Sequence, residues 1–302
     1  MAVKGDVWYM REWKSQNKLF LRRASSGAVL VTVLWFITVL AIFGMGLGRV
    51  SWSVYRFARW QMAKLVGKYS VNAILLMSKF DRTEDWTPEY DYLGELANEE
   101  VYESGNVKVV YFLIDEERKI NINKAPSAIL QNLPGMDMDK AVAVVNSPLK
   151  PFAFKEAIFG VEEIEKEDYE EFKNVITTYG NGAVNVNTAS EEVLELIGMD
   201  SALISQIMAF RVGEDEELYT DDDGFFDSTG TIVDYLNEEG SVSLSEEQDI
   251  NALINKKMLG VSASSYEIQA NVYVNDQLVD TYSVIMGKKE NSEDYIVLDW
   301  RK

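Results

Sequence analysis

RRASSGAVLVTVLWFITVLAIFGMGLGRV, residues 22–50, is a basic pair running into an apolar stretch. Ala28 to Gly48 holds no charged residue, and at about 1.5 Å of rise per residue such a helix is roughly 30 Å long, one hydrocarbon core. The apolar region of a secretory signal peptide is shorter, about 7–15 residues, and ends in a small-residue cleavage site. The run therefore reads as a membrane-spanning anchor. Residues 1–27 carry a net charge of +4, and the rest of the chain carries −24. The positive-inside rule holds the basic end in the cytoplasm and sends the acidic bulk across the membrane.

The helix does not stop at the membrane. SWSVYRFARWQMAKLVGKYSVNAILLMSKF, residues 51–80, contains no proline, and Val54, Phe57, Met62, Leu65, Val66, Tyr69, Ala73, Leu76, Met77 and Phe80 recur at three- and four-residue intervals. This periodicity predicts one helix over 28–80, apolar first and amphipathic later. An anchor followed by a separate helix is compatible with the same spacing.

The 302 residues are 47% hydrophobic and 26% charged, a composition that folds and buries a sizeable core. The net charge of −20 opposes binding to nucleic acid and to anionic lipid over most of the surface. With no Cys and no His, thiol catalysis, Cys- or His-ligated zinc and histidine general bases are excluded. An enzyme is disfavoured on that ground. The 49 acidic residues form chance pairs, and none is accompanied by a recognisable catalytic constellation.

Two segments repeat. ININKAPSAILQNLPGMD, from residue 120, aligns with VNVNTASEEVLELIGMD, from residue 184. Ile120, Asn121, Ile122, Asn123, Ala125 and Leu130 match Val184, Asn185, Val186, Asn187, Ala189 and Leu194. After a one-residue gap, Gly135-Met136-Asp137 matches Gly198-Met199-Asp200. Internal duplication is a stronger signal than a lone motif. Each copy reads as a short strand, a turn, a helix, a Gly-centred hairpin and a second helix, with Pro126 in a first helical turn. The unit resembles a helix-hairpin-helix. DNA-binding hairpins have a second Gly two residues after the first, whereas Asp137 and Asp200 stand there and suit a helix cap instead.

Strands flank the repeats. VKVVYFLIDEE, residues 107–117, is strand-like. YEIQANVYV places Tyr266, Ile268, Ala270, Val272 and Val274 on one face, Asn275-Asp276 provides a turn, and QLVDTYSVIM returns as a hairpin. EDYIVLDWRK is expected to place Ile296, Leu298 and Trp300 together.

Gly27 followed by AVLVTVLWFITVL resembles the processing site of type IV prepilin-like proteins. The resemblance implies a basic leader, residues 1–27, cut by a prepilin peptidase between Gly27 and Ala28, with methylation of the new N-terminus. Most of that family has Glu at the fifth mature position, which is Thr32 here. The K-type minor pseudopilins of the type II secretion system lack that acid, and SGAVLVTVLW, the two Asn-x-Asn motifs and the VLDWRK ending are similar to theirs. A carboxylate in an apolar helix is costly unless paired, while Thr can bond to its own helix backbone.

The K-type resemblance implies an α+β fold: a long N-terminal helix, 28–80 with 28–48 in the membrane, packed on an antiparallel sheet. It implies sheet residues at 81–123 and 262–302, with a large all-α insertion, 124–261, holding the two repeats. It further implies a single-pass inner-membrane protein, its N-terminus cytoplasmic and its folded part periplasmic. The implied role is structural: capping the pseudopilus tip and initiating assembly with I- and J-type minor pseudopilins and the major pseudopilin. Two other readings stay open, a membrane-anchored helix-hairpin-helix protein that takes up DNA and a membrane-bound enzyme with a carboxylate site.

GEDEELYTDDDGFFDSTG, residues 213–230, is the most acidic loop, and Asp221, Asp222, Asp223 and Asp227 could offer oxygen ligands to calcium. The spacing is not that of an EF-hand, and a solvated acidic loop accounts for the same residues. The resemblance adds calcium, known in some K-type members. The segment after the loop is expected to begin a helix, with Phe225 and Phe226 as core anchors.

Overall fold

The computed structural model describes residues 6–302 apart from 86, 97–98, 216–217, 221, 241, 290–291 and 293, and side chains from residue 27 onward except that of Glu239. It divides into two compact units, residues 1–62 and 63–302. The first helix, α1, is Asp6–Thr83. Its apolar part, from Val29 to Leu47, is exposed apart from a half-exposed Val39.

In the second unit, β1 (Glu100–Ser104) and β2 (Val107–Asp115) lead into short β3 (Ile120–Asn121). Helices α2 (Ser127–Leu130), α3 (Met138–Asn146) and α4 (Lys166–Phe172) follow, then β4 (Ile176–Thr177) and β5 (Val184–Asn185). After α5 (Glu191–Leu196), α6 (Ser201–Val212), α7 (Ile232–Glu239) and α8 (Leu244–Asn255) comes β6 (Leu259–Gly260). The chain ends in β7 (Ser265–Val274), β8 (Gln277–Lys288) and β9 (Tyr295–Arg301).

The main sheet is antiparallel throughout, in the order β1-β2-β7-β8-β9. Everything from β3 to β6 is therefore spliced between two neighbouring strands, β2 and β7. Within that insertion, β3 pairs with β4 and β5 with β6, both in parallel. The strands of the Asn-x-Asn motifs thus acquire partners that the repeat pattern does not reveal.

Two hydrophobic cores result. One lies between α1 and the sheet and contains Val71, Ile74, Val109, Tyr266, Ile268, Val272 and Met286. The other fills the insertion and includes both repeats, with Leu130, Leu194, Phe172 and Phe226 fully buried. Alternation in β7 behaves as read, with Tyr266, Ile268, Ala270 and Val272 buried and Val274 partly so. Asn275 and Asp276 both have positive φ, +47° and +61°, which makes the tight turn into β8.

Three expectations are corrected. The stripe Leu65, Tyr69, Leu76, Met77 and Phe80 is exposed, and the face of α1 packed on the sheet is Ala63, Gly67, Ser70, Val71, Ile74, Leu75 and Ser78. Close approach explains the choice, because a Cβ built on Gly67 would lie 2.5 Å from Val272 Cγ1. In β9, Ile296 and Leu298 are exposed, while Trp300 is half-buried against the core. A register shift opposite Ile285–Met286 places Leu298 between paired residues, and Tyr295 and Trp300 are the side chains packed on the core. Phe226 is a core anchor, whereas Phe225 stacks against both Tyr90 and Tyr92, at 5.1 and 4.4 Å, and the helix after it begins only at Ile232.

Gly67→Val is expected to lower stability by about 1–3 kcal/mol or more, since β-branched Val272 is too stiff to yield. Thermal melts of the full chain in detergent measure this, with Tyr69→Val on the exposed face as a control expected to change little.

Candidate functional site

Among the described residues no cleft carries an assembled catalytic set; the features that call for a function are the exposed apolar stretch of α1 and the junction that carries the insertion. On the helix, Gly27 and Ala28 lie inside α1, and no heavy atom comes within 4 Å of a Cβ built on Gly27. Thr32 Oγ1 donates to the Ala28 carbonyl at 2.8 Å, and Thr38 does the same to Leu34 at 2.8 Å. Thr32 is satisfied within its own helix and makes no demand on a neighbouring chain. The apolar side chains around it, Leu30 at 70% and Trp35 at 65% exposure among them, have no such internal satisfaction. A helix apolar on all sides requires lipid or other helices around it.

The junction is built by three consecutive acids at the end of β2, in a 3-10 turn, Glu116–Arg118, and the residue before it. Asp115 is fully buried and accepts from Asn185 Nδ2 (2.9 Å), Thr188 Oγ1 (2.6 Å) and the Glu117 N–H (2.6 Å). Glu116 accepts from Lys119 Nζ at 2.6 Å and from the Thr177 hydroxyl. Glu117 reaches the middle of the insertion and the segment where the chain leaves it: it accepts from the Asn181 N–H (3.2 Å), the Ser264 N–H (2.9 Å) and hydroxyl (2.5 Å), and the Ser265 N–H (3.2 Å). Gly180, at φ +87°, leaves the room Glu117 occupies, since a Cβ there would lie 2.5 Å from Glu117 Cδ. Beside this hub, Asp91 accepts from Tyr266 OH (2.6 Å) and the Ala263 N–H (2.7 Å) and pairs with Arg82 at 3.2 Å. In sequence, Asp115-Glu116-Glu117 looks like the solvated end of a strand, and nothing in the local pattern marks it as buried.

The repeated asparagines perform matching tasks. Asn121 Nδ2 donates to the Tyr179 carbonyl at 2.6 Å, and Asn185 Nδ2 to the Asp91 carbonyl at 3.1 Å as well as to Asp115. Each first Asn accepts the N–H of the second, at 2.9 and 3.0 Å. Each second Asn then clamps the backbone of a distant Phe in both directions. Asn123 takes the Phe152 N–H at 2.8 Å and gives to its carbonyl at 3.0 Å; Asn187 does so with Phe226, at 2.9 Å both ways. The hairpin glycines have φ of +71° at Gly135 and +97° at Gly198. The aspartates after them cap the next helices, Asp137 accepting from the Lys140 N–H and Asp200 from the Ala202 N–H, each at 2.8 Å. Those amides are thereby engaged by carboxylates, the opposite of a phosphate cradle. Arg211, buried at the end of α6, donates to the Ala189 carbonyl at 2.6 Å and ties α6 to the second repeat, a role sequence reading missed.

In the acidic loop, Asp222 Oδ2 accepts the N–H groups of Glu214 and Asp215 at 2.8 and 3.2 Å, and Asp223 accepts that of Tyr219 at 2.7 Å. Asp227 accepts from the Thr231 hydroxyl at 2.6 Å. Asp221 lies outside the described residues. Each of the described carboxylates accepts a hydrogen bond from the loop or from the turn that follows it. Asp85, Asp91 and Glu95 do converge within 4.8 Å, and Arg82 already supplies their positive charge.

No family model and no curated protein matches the chain. Among solved structures it is similar to a chain of the GspK-GspI-GspJ complex from the enterotoxigenic Escherichia coli type 2 secretion system. The identity is 12%, the match covers 80% of this chain and 96% of that one, and the TM-score is 0.56. The α+β fold, a long N-terminal helix with an antiparallel sheet and further helices, is the fold of this GspK neighbour.

Burial pushes the Asp115 carboxyl up to about 7 and the Glu117 carboxyl up to about 8, Asp115's charge adding to the second; the bonds each accepts pull the other way. Unfolded carboxyls titrate near about 4, so the native state holds more protons between there and pH 8. Stability is then fullest at acid pH and is lost as pH rises through the raised values. The chain has no His to titrate in this window. A higher melting temperature at pH 5.5 than at pH 8.5 is expected, with a flatter profile in Glu117→Gln. Asn187→Ala leaves the Phe226 N–H and carbonyl without their clamp, and equilibrium unfolding should register about 1–3 kcal/mol for each orphaned group.

Proposed function

We propose that the chain is a GspK-like minor pseudopilin, a structural and non-catalytic subunit of a type II secretion pseudopilus. What carries the reading is one combination: an exposed apolar helix, continuous with a helix packed on an antiparallel sheet, and a large helical insertion in that sheet, in a chain whose α+β fold is similar to that of the GspK neighbour. Residues 28–48 anchor the chain once through the inner membrane, with residues 1–27 cytoplasmic and the folded unit periplasmic. A prepilin peptidase cuts between Gly27 and Ala28, and Ala28 is methylated.

Assembly follows from the helix. The exposed stripe of Leu65, Tyr69, Leu76 and Phe80 buries itself against the helices of I- and J-type minor pseudopilins, with the major pseudopilin below. In an ordinary subunit, a glutamate at the fifth mature position has to be neutralised by a neighbour. Thr32 bonds to Ala28 instead, which frees this subunit from needing one above it and suits a tip position. The insertion adds bulk that blocks addition of a further subunit, so the chain caps and initiates the assembly. No metal enters this mechanism.

Two measurements test it. Mass spectrometry after coexpression with a prepilin peptidase should find N-methylated Ala28 as the first residue; an intact Met1 would remove the processing step. Leu76→Glu with Tyr69→Glu should abolish copurification with I- and J-type partners while leaving the melting temperature of the isolated chain nearly unchanged, because both side chains are exposed.

A further inference from the structure

The charge of α1 between Ala28 and Phe80 is one-sided in sign. From Ala28 to Phe80 there is no Asp or Glu, while Arg49, Arg56, Arg59, Lys64, Lys68 and Lys79 give this stretch +6; residues 81–302 carry −30. The cations nearest the apolar span alternate with aromatic residues: Arg49, Trp52, Tyr55, Arg56, Arg59 and Trp60. At 3.6 residues per turn these six positions fall within about 140° of the helix circumference. Their contacts agree, for the Trp52 and Tyr55 rings lie 6.0 Å apart and the Arg59 guanidinium sits 5.7 Å from the Tyr55 ring centre. The aromatic rings are open to the surroundings, Trp52 at 61% and Tyr55 at 52%. Among the described residues no carboxylate pairs with Arg49, Arg56 or Arg59.

The far side of the same turns is different. Val50, Val54 and Ala58 recur every four residues and form a small, aliphatic strip suited to close helix packing. The helix thus separates a face for other helices from a face that is cationic and aromatic, its three arginines without a carboxylate partner among the described residues. Indole and phenol rings prefer the boundary between hydrocarbon and headgroups, and guanidinium forks match phosphate oxygens. The face begins one residue after the 21-residue uncharged run, at the depth where headgroups lie.

We propose that residues 49–60 form a collar that binds anionic phospholipid headgroups in the leaflet from which the folded unit emerges. The three arginines hold lipid phosphates, and Trp52 and Tyr55, the rings nearest the uncharged run, seat toward the hydrocarbon boundary. The Val50-Val54-Ala58 strip is thereby turned away from lipid headgroups and toward partner helices. The collar fixes both the depth and the rotation of the helix before assembly. It rests on the reading of residues 28–48 as a membrane span.

Native mass spectrometry of the full chain, released from mixed phosphatidylglycerol and phosphatidylcholine vesicles, counts the lipids retained. The wild type should retain phosphatidylglycerol preferentially. The triple variant Arg49→Gln, Arg56→Gln, Arg59→Gln should lose about tenfold or more of that preference, as expected for removing three cations near a charged surface, and the corresponding triple Lys variant should keep most of it. Equal retention of the two lipids, or an unchanged preference in the Gln variant, overturns the collar. Flotation with phosphatidylcholine vesicles reports on the span separately. A chain that floats without a phosphatidylglycerol preference loses the collar alone, and one that floats with no vesicle loses the span and the collar together.

Discussion

Three carboxylates buried in a row, Asp115, Glu116 and Glu117, are the constraint around which the folded unit is organised. They stand where β2 leaves the sheet, and each reaches a different segment: the second repeat and β4 within the insertion, and the start of β7, where the chain returns to the sheet. Burying charge is costly unless every lone pair finds a donor. The cost is offset by hydroxyls, an amide side chain, a lysine and at least four backbone N–H groups, drawn from segments far apart in sequence. Those donors come together only when sheet and insertion are both folded. Such a network is unforgiving of partial formation, and it therefore couples two hydrophobic cores that would otherwise be independent.

The asparagine motifs extend the same logic into the insertion. An Asn side chain presents a donor and an acceptor side by side, which is what an exposed peptide unit needs. Asn123 and Asn187 each satisfy one complete peptide edge, at Phe152 and Phe226, in a region where no strand is available to do so. Side chains here replace secondary structure, and their duplication explains why the insertion can keep so many short helices in a fixed arrangement.

Much of the architecture was legible in the sequence because it depends on local signals. The apolar run at 28–48, the turn at Asn275-Asp276, the alternation in β7 and the two repeats all follow from periodicity or turn chemistry within a few residues. The packing face of α1 was not legible, since that helix is apolar on two sides and the choice rests on Gly67 meeting Val272 across the fold. Strand β1 is polar and mostly exposed, so it lacks the alternation that identifies strands. The shift in β9 is set by its partner, and the buried state of Asp115-Glu116-Glu117 by residues 60 to 150 positions away. Of the candidate site, Thr32 could be read as self-satisfied from its residue type alone, whereas the exposure of Leu76 and Phe80 required the fold.

The pairing of Asp115 with Tyr266 across β2 and β7 has a topological consequence. To the sheet, everything from residue 116 to residue 264 is the connection of one hairpin, entered and left about 5 Å apart. Closing a long connection costs only slightly more than closing a moderate one, because the entropy grows with the logarithm of its length. The sheet is accordingly indifferent to the size of what is hung between these strands, provided that the two ends arrive together. A subunit built this way can enlarge or shrink its outer mass without altering the helix and sheet by which it is held.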